Sequence, residues 1–163
     1  MHLKKLSARD GETVYRMLQD IETCENSFTN PVRGMDFEEY KKWLVQQEEW
    51  SEGRNLPEGY VAQTIYWLMD SDVPVGIGKI RQALTEESRE HGGNVGYAIG
   101  SKFRGHGYGK TLLKLLVEEA KKLKIEEILL TVDKGNIASK NVIEANGGIL
   151  VRDNPERWYF RVL

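Results

Sequence analysis

The residues best able to do chemistry form one short run, Arg104-Gly105-His106-Gly107-Tyr108-Gly109-Lys110, between a predicted strand and a long predicted helix. The first turn of a helix has about four backbone N–H groups without an intrahelical acceptor, and the helix dipole adds partial positive charge there. Glycines at alternate positions let such a backbone wrap around an anion. Arg104 and Lys110 add positive charge on either side. The run therefore predicts a phosphate or diphosphate site.

Two well-known glycine motifs do not fit this run. The dinucleotide-binding fingerprint needs glycine at its sixth position, which is Lys110 when the motif starts at Gly105. The phosphate loop of NTPases would end correctly at Gly109-Lys110-Thr111, but its first glycine would have to be Arg104. A tight turn with positive φ is the plain structural alternative, and alternating glycines exceed what one turn requires. A P-loop-type nucleotide binder is thus a lesser alternative.

The elements that must position this loop follow from the spacing of apolar residues. Apolar residues at helical spacing predict two amphipathic helices in the N-terminal third, a long buried helix after Gly109 and a short helix at 139–146. Runs rich in β-branched and aromatic residues predict strands. These predicted strands are 3–6, 60–69, 73–81, 94–99, 128–132, 148–152 and 157–162, and the polar segments 23–35, 48–59 and 85–93 are predicted loops.

This order of elements predicts an α/β fold. We expect a central twisted mixed β-sheet of about six to seven strands with helices on both faces. A chain of 163 residues is the usual size of one domain, so we predict a single domain over residues 1–163.

Composition, net charge and cysteine count argue against several classes of function. The chain carries 23 Lys and Arg against 25 Asp and Glu, a net charge of −2, which argues against a nucleic-acid partner. No apolar stretch approaches the ~20 residues of a membrane span, and the polar, basic start predicts no signal peptide. Cys24 is the single cysteine, which excludes an intramolecular disulfide and a thiolate metal cluster, and we expect it to be buried. We predict a cytoplasmic protein with no membrane partner and no metal.

The run from Arg104 to Gly109 also resembles the diphosphate loop, Arg/Gln-x-x-Gly-x-Gly/Ala, of the GNAT superfamily of acetyl-CoA-dependent N-acetyltransferases. Val95–Ile99 resembles the fourth strand of that family, Ile128–Asp133 its fifth, and residues 136–148 its next helix and turn. The resemblance implies a GNAT-like fold in which the fourth and fifth strands splay apart. It also implies acetyl transfer from acetyl-CoA to a primary amine of a small molecule or peptide by direct attack, in a monomer or homodimer.

The resemblance further implies roles for particular residues. The Ile99 N–H would stabilise the developing oxyanion of the thioester. Asn136 and Ser139 would contact the pantetheine arm of CoA. The diphosphate would be held by the loop, that is by Arg104, Gly105, His106, Gly107, Tyr108, Gly109 and Lys110.

The sequence departs from the family at its acid and base. Ile143 occupies the position of a tyrosine that can protonate the leaving thiolate, and Asn94 occupies the position of a glutamate that can act as base. This leaves Asp133 and His91 as candidate bases, with loop bracing and plain exposure as their structural alternatives. Tyr97 and Tyr108 are candidate acids, with packing as the alternative. A non-catalytic acyl-CoA-binding module is therefore a second functional hypothesis.

The sequence also offers an indication of where the acceptor amine binds. We expect its site to involve the N-terminal helices and the segments 23–35 and 48–59. The acidic residues of the second segment would suit a cationic amine, although a solvated acidic surface is the commoner explanation. These residues are Glu48, Glu49, Glu52 and Glu58.

Overall fold

The computed structural model describes residues Met1–Leu163, and its elements follow the predicted order. The helices are α1 (Glu12–Gln19), α2 (Phe37–Ser51), α3 (Glu86–Glu90), α4 (Tyr108–Lys122) and α5 (Ile137–Ala145). The strands are β1 (His2–Lys5), β2 (Cys24–Glu25), β3 (Phe28–Thr29), β4 (Gln63–Asp70), β5 (Val73–Arg81), β6 (Val95–Ile99), β7 (Ile128–Asp133), β8 (Ile149–Asp153) and β9 (Arg157–Val162).

The strands form two sheets and a small ribbon. One sheet has the order β1-β4-β5-β6, the other β7-β9-β8, and β2 pairs with β3 in the ribbon. Between β6 and β7 there is no ladder, and they are joined at one end by Asn94, whose N–H donates to the Leu129 carbonyl at 2.8 Å. Both strands begin beside this contact and then diverge. The splay predicted between the fourth and fifth long strands is therefore present.

Helices cover both faces of the larger sheet because the residues of β4 alternate between them. Ile65 and Trp67 belong to a hydrophobic cluster with residues of α1 and α2, whereas Tyr66 and Leu68 belong to a second cluster with residues of α4. The apolar stripe of α4 is buried as its spacing predicts, and Leu112 is fully buried. The α/β fold with helices on both faces is confirmed.

The three segments predicted as loops each contain some regular structure, which in segment 48–59 is the last turn of α2. Helix α2 continues to Ser51 and ends where Gly53 adopts φ +76°, a conformation that glycine accepts without strain. Segment 85–93 contains α3, which starts with a reciprocal capping box between Thr85 and Ser88. Segment 23–35 contains the β2–β3 ribbon, where Cys24 is exposed, so its predicted burial is wrong.

Asn94 holds the two sheets together and is 3% exposed. Its Nδ2 donates to the Arg81 carbonyl at 3.0 Å and its Oδ1 accepts from the Leu129 N–H at 2.9 Å. We expect Asn94→Ala to lower the free energy of unfolding by about 2–4 kcal/mol, because both buried partners lose their hydrogen bonds. Urea unfolding followed by circular dichroism measures this loss. Asn141→Ala, on the exposed face of α5, is the control and should change stability by less than about 0.5 kcal/mol; an equally small effect at Asn94 would contradict the assignment.

Candidate functional site

A cavity of about 440 Å³ occupies the splay between β6 and β7. Its lining comes from both diverging strands, from the start of α4, from α5 and from the β2–β3 ribbon. The cavity therefore connects the glycine loop, which precedes α4, with the ribbon that contacts the other face of β6. This placement brings most of the residues selected from the sequence around one space.

The glycine loop presents a run of free hydrogen-bond donors to this cavity. No backbone N–H group from residue 105 to residue 110 donates to a protein acceptor, and the first bond in α4 is from Thr111 N–H to the Gly107 carbonyl at 3.3 Å. An ordinary helix start leaves about four such groups, so this loop extends the donor run beyond the helix itself. Such an array of amides at a helix N-terminus is suited to bind a phosphate or diphosphate.

The three loop glycines differ in what they contribute. Gly105 and Gly107 adopt φ +83° and +78°, so they permit the backbone path of the loop. Gly109 has ordinary helical φ, and a Cβ there would lie 3.8–4.0 Å from Val142, Tyr97 and Ile99, all of which line the cavity. Two glycines therefore shape the loop and the third keeps the cavity open beside it.

The basic side chains of the loop differ in their contacts and in their position relative to the cavity. Arg104 Nε donates to the Ile99 carbonyl at 3.2 Å, and its Nη1 lies 2.8 Å from Glu25 of β2. Arg104 thus braces the loop against β6 and the ribbon with its charge balanced. Lys110 is exposed at the edge of the cavity, while the His106 side chain is exposed outside the lining. Only Lys110 therefore adds unbalanced positive charge beside the free amides.

The backbone of β6 turns one set of donors towards the splay. Gly100 N–H donates to the Val75 carbonyl at 2.9 Å, which places residues 96, 98 and 100 in hydrogen-bonded register with β5. In an antiparallel ladder the intervening residues direct their N–H groups to the opposite side. The N–H groups of Tyr97 and Ile99 consequently point away from β5 and towards the cavity. Ile99 lies where an amide donor could meet a charge that develops inside it.

Helix α5 closes the opposite wall of the cavity. Asn136 caps this helix by accepting from the Ser139 N–H at 3.1 Å, and the Ser139 hydroxyl lies 2.8 Å from the Tyr97 hydroxyl across the splay. Burial raises the pKa of Tyr97 to about 12, although the hydrogen bond with Ser139 acts in the opposite direction. Tyr97 therefore holds its phenolic proton throughout the ordinary pH range, inside the cavity.

Comparison with known protein families assigns the chain to one of them. The model of the acetyltransferase (GNAT) domain matches residues 1–149. The chain belongs to the GNAT family of acetyltransferases. No curated protein matches the sequence.

Solved GNAT structures share the fold over nearly the whole chain. The ribosomal-protein-S5-alanine acetyltransferase from Vibrio fischeri has a TM-score of 0.72 at 15% identity, covering 99% of this chain and 91% of that chain. The ribosomal-protein-alanine N-acetyltransferase from Brucella melitensis has 0.69 at 17%, covering 100% and 99%. The N-acetyltransferase PseH from Campylobacter jejuni, in complex with acetyl coenzyme A, has 0.65 at 13%, covering 98% and 96%. These likenesses confirm the GNAT fold.

Two residues selected as candidate bases lie outside the lining of the GNAT cavity. Asp133 ends β7, forms a 2.7 Å ion pair with Arg157 and accepts a hydrogen bond from Ser27. His91 follows α3, is exposed, and lines a separate cavity of about 320 Å³ beside Trp50. The geometry favours a bracing role for Asp133 and does not bring His91 near the glycine loop.

The two residues that depart from the family pattern, Asn94 and Ile143, both have structural roles. Both polar atoms of the Asn94 side-chain amide make hydrogen bonds that join β5, β6 and β7. Ile143 is 1% exposed and its side chain packs in the cluster beneath α4.

None of the five helices has the length and apolar composition needed to cross a bilayer. No group of three or more His, Cys, Asp or Glu residues is arranged to hold a metal ion.

The sequence reasoning missed two basic residues of the GNAT cavity, Lys79 and Arg81 of β5. Lys79 Nζ donates to the Thr29 carbonyl at 2.8 Å and lies 4.5 Å from the centre of the Phe28 ring. Arg81 Nη1 donates to the Gly93 carbonyl at 3.1 Å. The available signal was a pair of cations two positions apart in an otherwise apolar strand, which places both on one face.

Proposed function

We propose that this protein, as a single GNAT domain over residues 1–163, transfers an acetyl group from acetyl-CoA to a primary amine of a small molecule or peptide. The observation that carries the proposal is the run of free amides from residue 105 to residue 110 at the mouth of the splay. The structure of PseH with acetyl coenzyme A supports the choice of donor, because that protein shares the fold. The family supports the reaction type.

The proposed donor site follows from the cavity walls. The loop amides hold the CoA diphosphate, and Lys110 adds a full charge beside it. The pantetheine arm lies in the splay, where β6 has free N–H groups on one side and α5 presents Asn136 and Ser139 on the other. The thioester carbonyl lies at Ile99, whose N–H stabilises the negative charge that appears on the carbonyl oxygen.

The proposed reaction has no covalent enzyme intermediate. A neutral amine attacks the thioester carbonyl, the C–N bond forms, and the nitrogen gives its extra proton to water. The C–S bond then breaks, the CoA thiolate leaves and takes a proton from an enzyme phenol, and the phenol regains its proton from water. Tyr97 is the phenol in the cavity that can protonate this thiolate, because the Tyr108 hydroxyl is already donated to Asp70. Glu25 is the only carboxylate in the lining and is paired with Arg104, so we infer that the amine binds neutral or loses its proton to water.

Two measurements test this function. Thermal shift assays with acetyl-CoA, CoA and ATP with magnesium should show stabilisation by the first two, of about 2.7 kcal/mol at 100 times the dissociation constant. Release of free thiol from acetyl-CoA should depend on the amine in a panel of acceptors. Stabilisation by ATP but not by CoA would contradict the donor assignment. Binding of CoA without thiol release for any amine would instead favour a non-catalytic acyl-CoA-binding module.

A further inference from the structure

The part of the cavity next to the β2–β3 ribbon carries positive charge that no carboxylate balances. Four basic residues and one acidic residue line the cavity, and the acid, Glu25, is paired with Arg104. Lys110 stands beside the free amides of the glycine loop. The remaining two cations, Lys79 and Arg81, make their hydrogen bonds to backbone carbonyls. These carbonyl oxygens solvate the two charges in part but do not neutralise them.

These two cations lie on the other face of the sheet from the diphosphate loop. A Cβ on Gly78 would meet Leu116, so the even-numbered positions of this part of β5 face α4. Lys79 and Arg81 point to the opposite face, where Phe28 of the ribbon packs over Lys79 and lies 3.6 Å from a Cβ built on Gly96. The donor's diphosphate cannot pair with both the glycine loop and this face. Lys79 and Arg81 are thus available to bind the other substrate, the acceptor amine.

Half-burial makes these charges costly without an anionic partner. Burial, and secondly the positive charge of the nearby Arg81, together lower the pKa of Lys79 to about 8. Burial also lowers the pKa of Arg81. An anion bound between them would offset both effects, because opposite charges stabilise the ionised forms and charge-assisted hydrogen bonds are stronger than neutral ones.

The acidic segment that suggested a cationic amine lies elsewhere. The Glu48 carboxylate accepts from the Ala8 N–H, and Glu49 and Glu52 accept from Asn55 and Arg54. None of these glutamates lines the cavity in the splay. The charge that the acceptor meets inside the cavity is therefore positive.

We propose that the acceptor amine carries an anionic group, a carboxylate or a phosphate, that binds Lys79 and Arg81 while the amine faces the thioester. This inference rests on the proposed acetyl transfer and specifies its substrate class. Amino acids and phosphorylated amines are the simplest compounds with both groups. The β2–β3 ribbon, including the aromatic ring of Phe28, forms one wall of this anion site.

The test compares matched acceptors that differ only in charge. The panel contains the standard amino acids, their carboxamides, and phosphoethanolamine with ethanolamine, each assayed by thiol release from acetyl-CoA. At least one anionic amine should exceed its uncharged match in kcat/KM by about 10- to 100-fold, the range expected for hydrogen bonds to a charged group. The carboxylate and phosphate arms identify which anion is used. Uncharged amines that react as well as their anionic matches would overturn the proposal.

Variants separate this site from the donor site. Lys79→Met and Arg81→Met should each raise KM for the anionic acceptor by about 10-fold or more and leave the CoA dissociation constant unchanged. Lys110→Met is the matched control on the other side of the cavity, and it should weaken CoA binding instead. If the Lys79 and Arg81 variants keep the wild-type KM, or lose CoA affinity as Lys110→Met does, the proposal is wrong.

A binding experiment covers the case in which no amine is acetylated. N-acetyl amino acids, N-acetylphosphoethanolamine and their uncharged analogues are titrated calorimetrically into the CoA complex. Binding that requires the anion and is about 10-fold or more weaker in Lys79→Met would support the anion site even if acetyl transfer itself failed. Equal binding, or equal absence of binding, of anionic and uncharged compounds would overturn it.

The pH dependence of that binding gives a further prediction. Lys79 is charged below about pH 8. The groups facing it are Arg81 on its own strand, Phe28 and Thr29 on β3, Ile65 on β4 and Gly96 on β6. A bound anion favours the charged lysine, so anion affinity should be full below about pH 8 and should fall as the pH rises above it. Calorimetry on Lys79→Met should show no such fall; a fall that persists in this variant would contradict the assignment to Lys79.

Discussion

Replacing Gly109 with leucine should abolish CoA binding while the protein remains folded. The side chain would enter the cavity between Tyr97, Ile99 and Val142, where the pantetheine arm is proposed to lie. Because Gly109 is in the first turn of α4 with ordinary φ, leucine should favour the helix by up to about 1 kcal/mol. We expect the CoA dissociation constant, measured by calorimetry, to rise at least about 100-fold, the loss of affinity that ~2.7 kcal/mol represents.

A matched substitution on the same helix controls for this experiment. Lys114→Leu adds the same side chain on the exposed face of α4 and should leave CoA affinity unchanged. Gly107→Val is a poorer test, because a β-branched residue at φ +78° strains the backbone as well as blocking access. CoA binding by Gly109→Leu within a few-fold of the wild type would show that the donor does not pass this wall of the cavity.

Removing the hydroxyl of Tyr97 should slow the chemical step without weakening donor binding. Positioned general acids contribute about 100-fold or more to such reactions, so we expect Tyr97→Phe to lower the single-turnover rate of acetyl transfer by about 100-fold. The CoA dissociation constant should change little, because the ring still lines the cavity. Since burial raises the pKa of Tyr97 to about 12, we expect no alkaline decline of the wild-type rate from this residue until the pH approaches that value.

Tyr108→Phe is the control for this phenol. Its hydroxyl donates to Asp70, away from the Tyr97–Ser139 pair, and its loss should leave the single-turnover rate near that of the wild type. An unchanged rate in Tyr97→Phe would mean that the thiolate leaves without an enzyme acid. A decline caused by lost CoA affinity alone would assign Tyr97 a binding role instead.

Local patterns in the sequence were sufficient for the frame that positions the site. The apolar stripe of α4 and the short apolar runs of β6 and β7 depend on residues close together in the chain, so their spacing predicts them directly. The glycine loop was also predictable, because its residues all lie in one run. The separate roles of Gly107 and Gly109 were not, since one depends on φ and the other on what surrounds the helix.

The acceptor side of the cavity depends on contacts between distant segments. The β2–β3 ribbon turns through Asn26 and Ser27, both with positive φ, without the glycine that usually marks such a turn. Its strands have only two residues each, too few for any periodic signal. Lys79 meets Phe28 only through this ribbon, and Asp133 meets Arg157 only through the pairing of β7 with β9. Such nonlocal pairs leave no mark in local spacing.

Backbone NMR of the ¹⁵N-labelled protein during a CoA titration observes the free amides themselves. The N–H signals of residues 105–110 should shift more than any others and move together with the fraction of bound CoA, because these groups gain phosphate acceptors. Saturation with CoA that leaves these signals in place, while amides elsewhere in the chain shift, would contradict a diphosphate site at the start of α4.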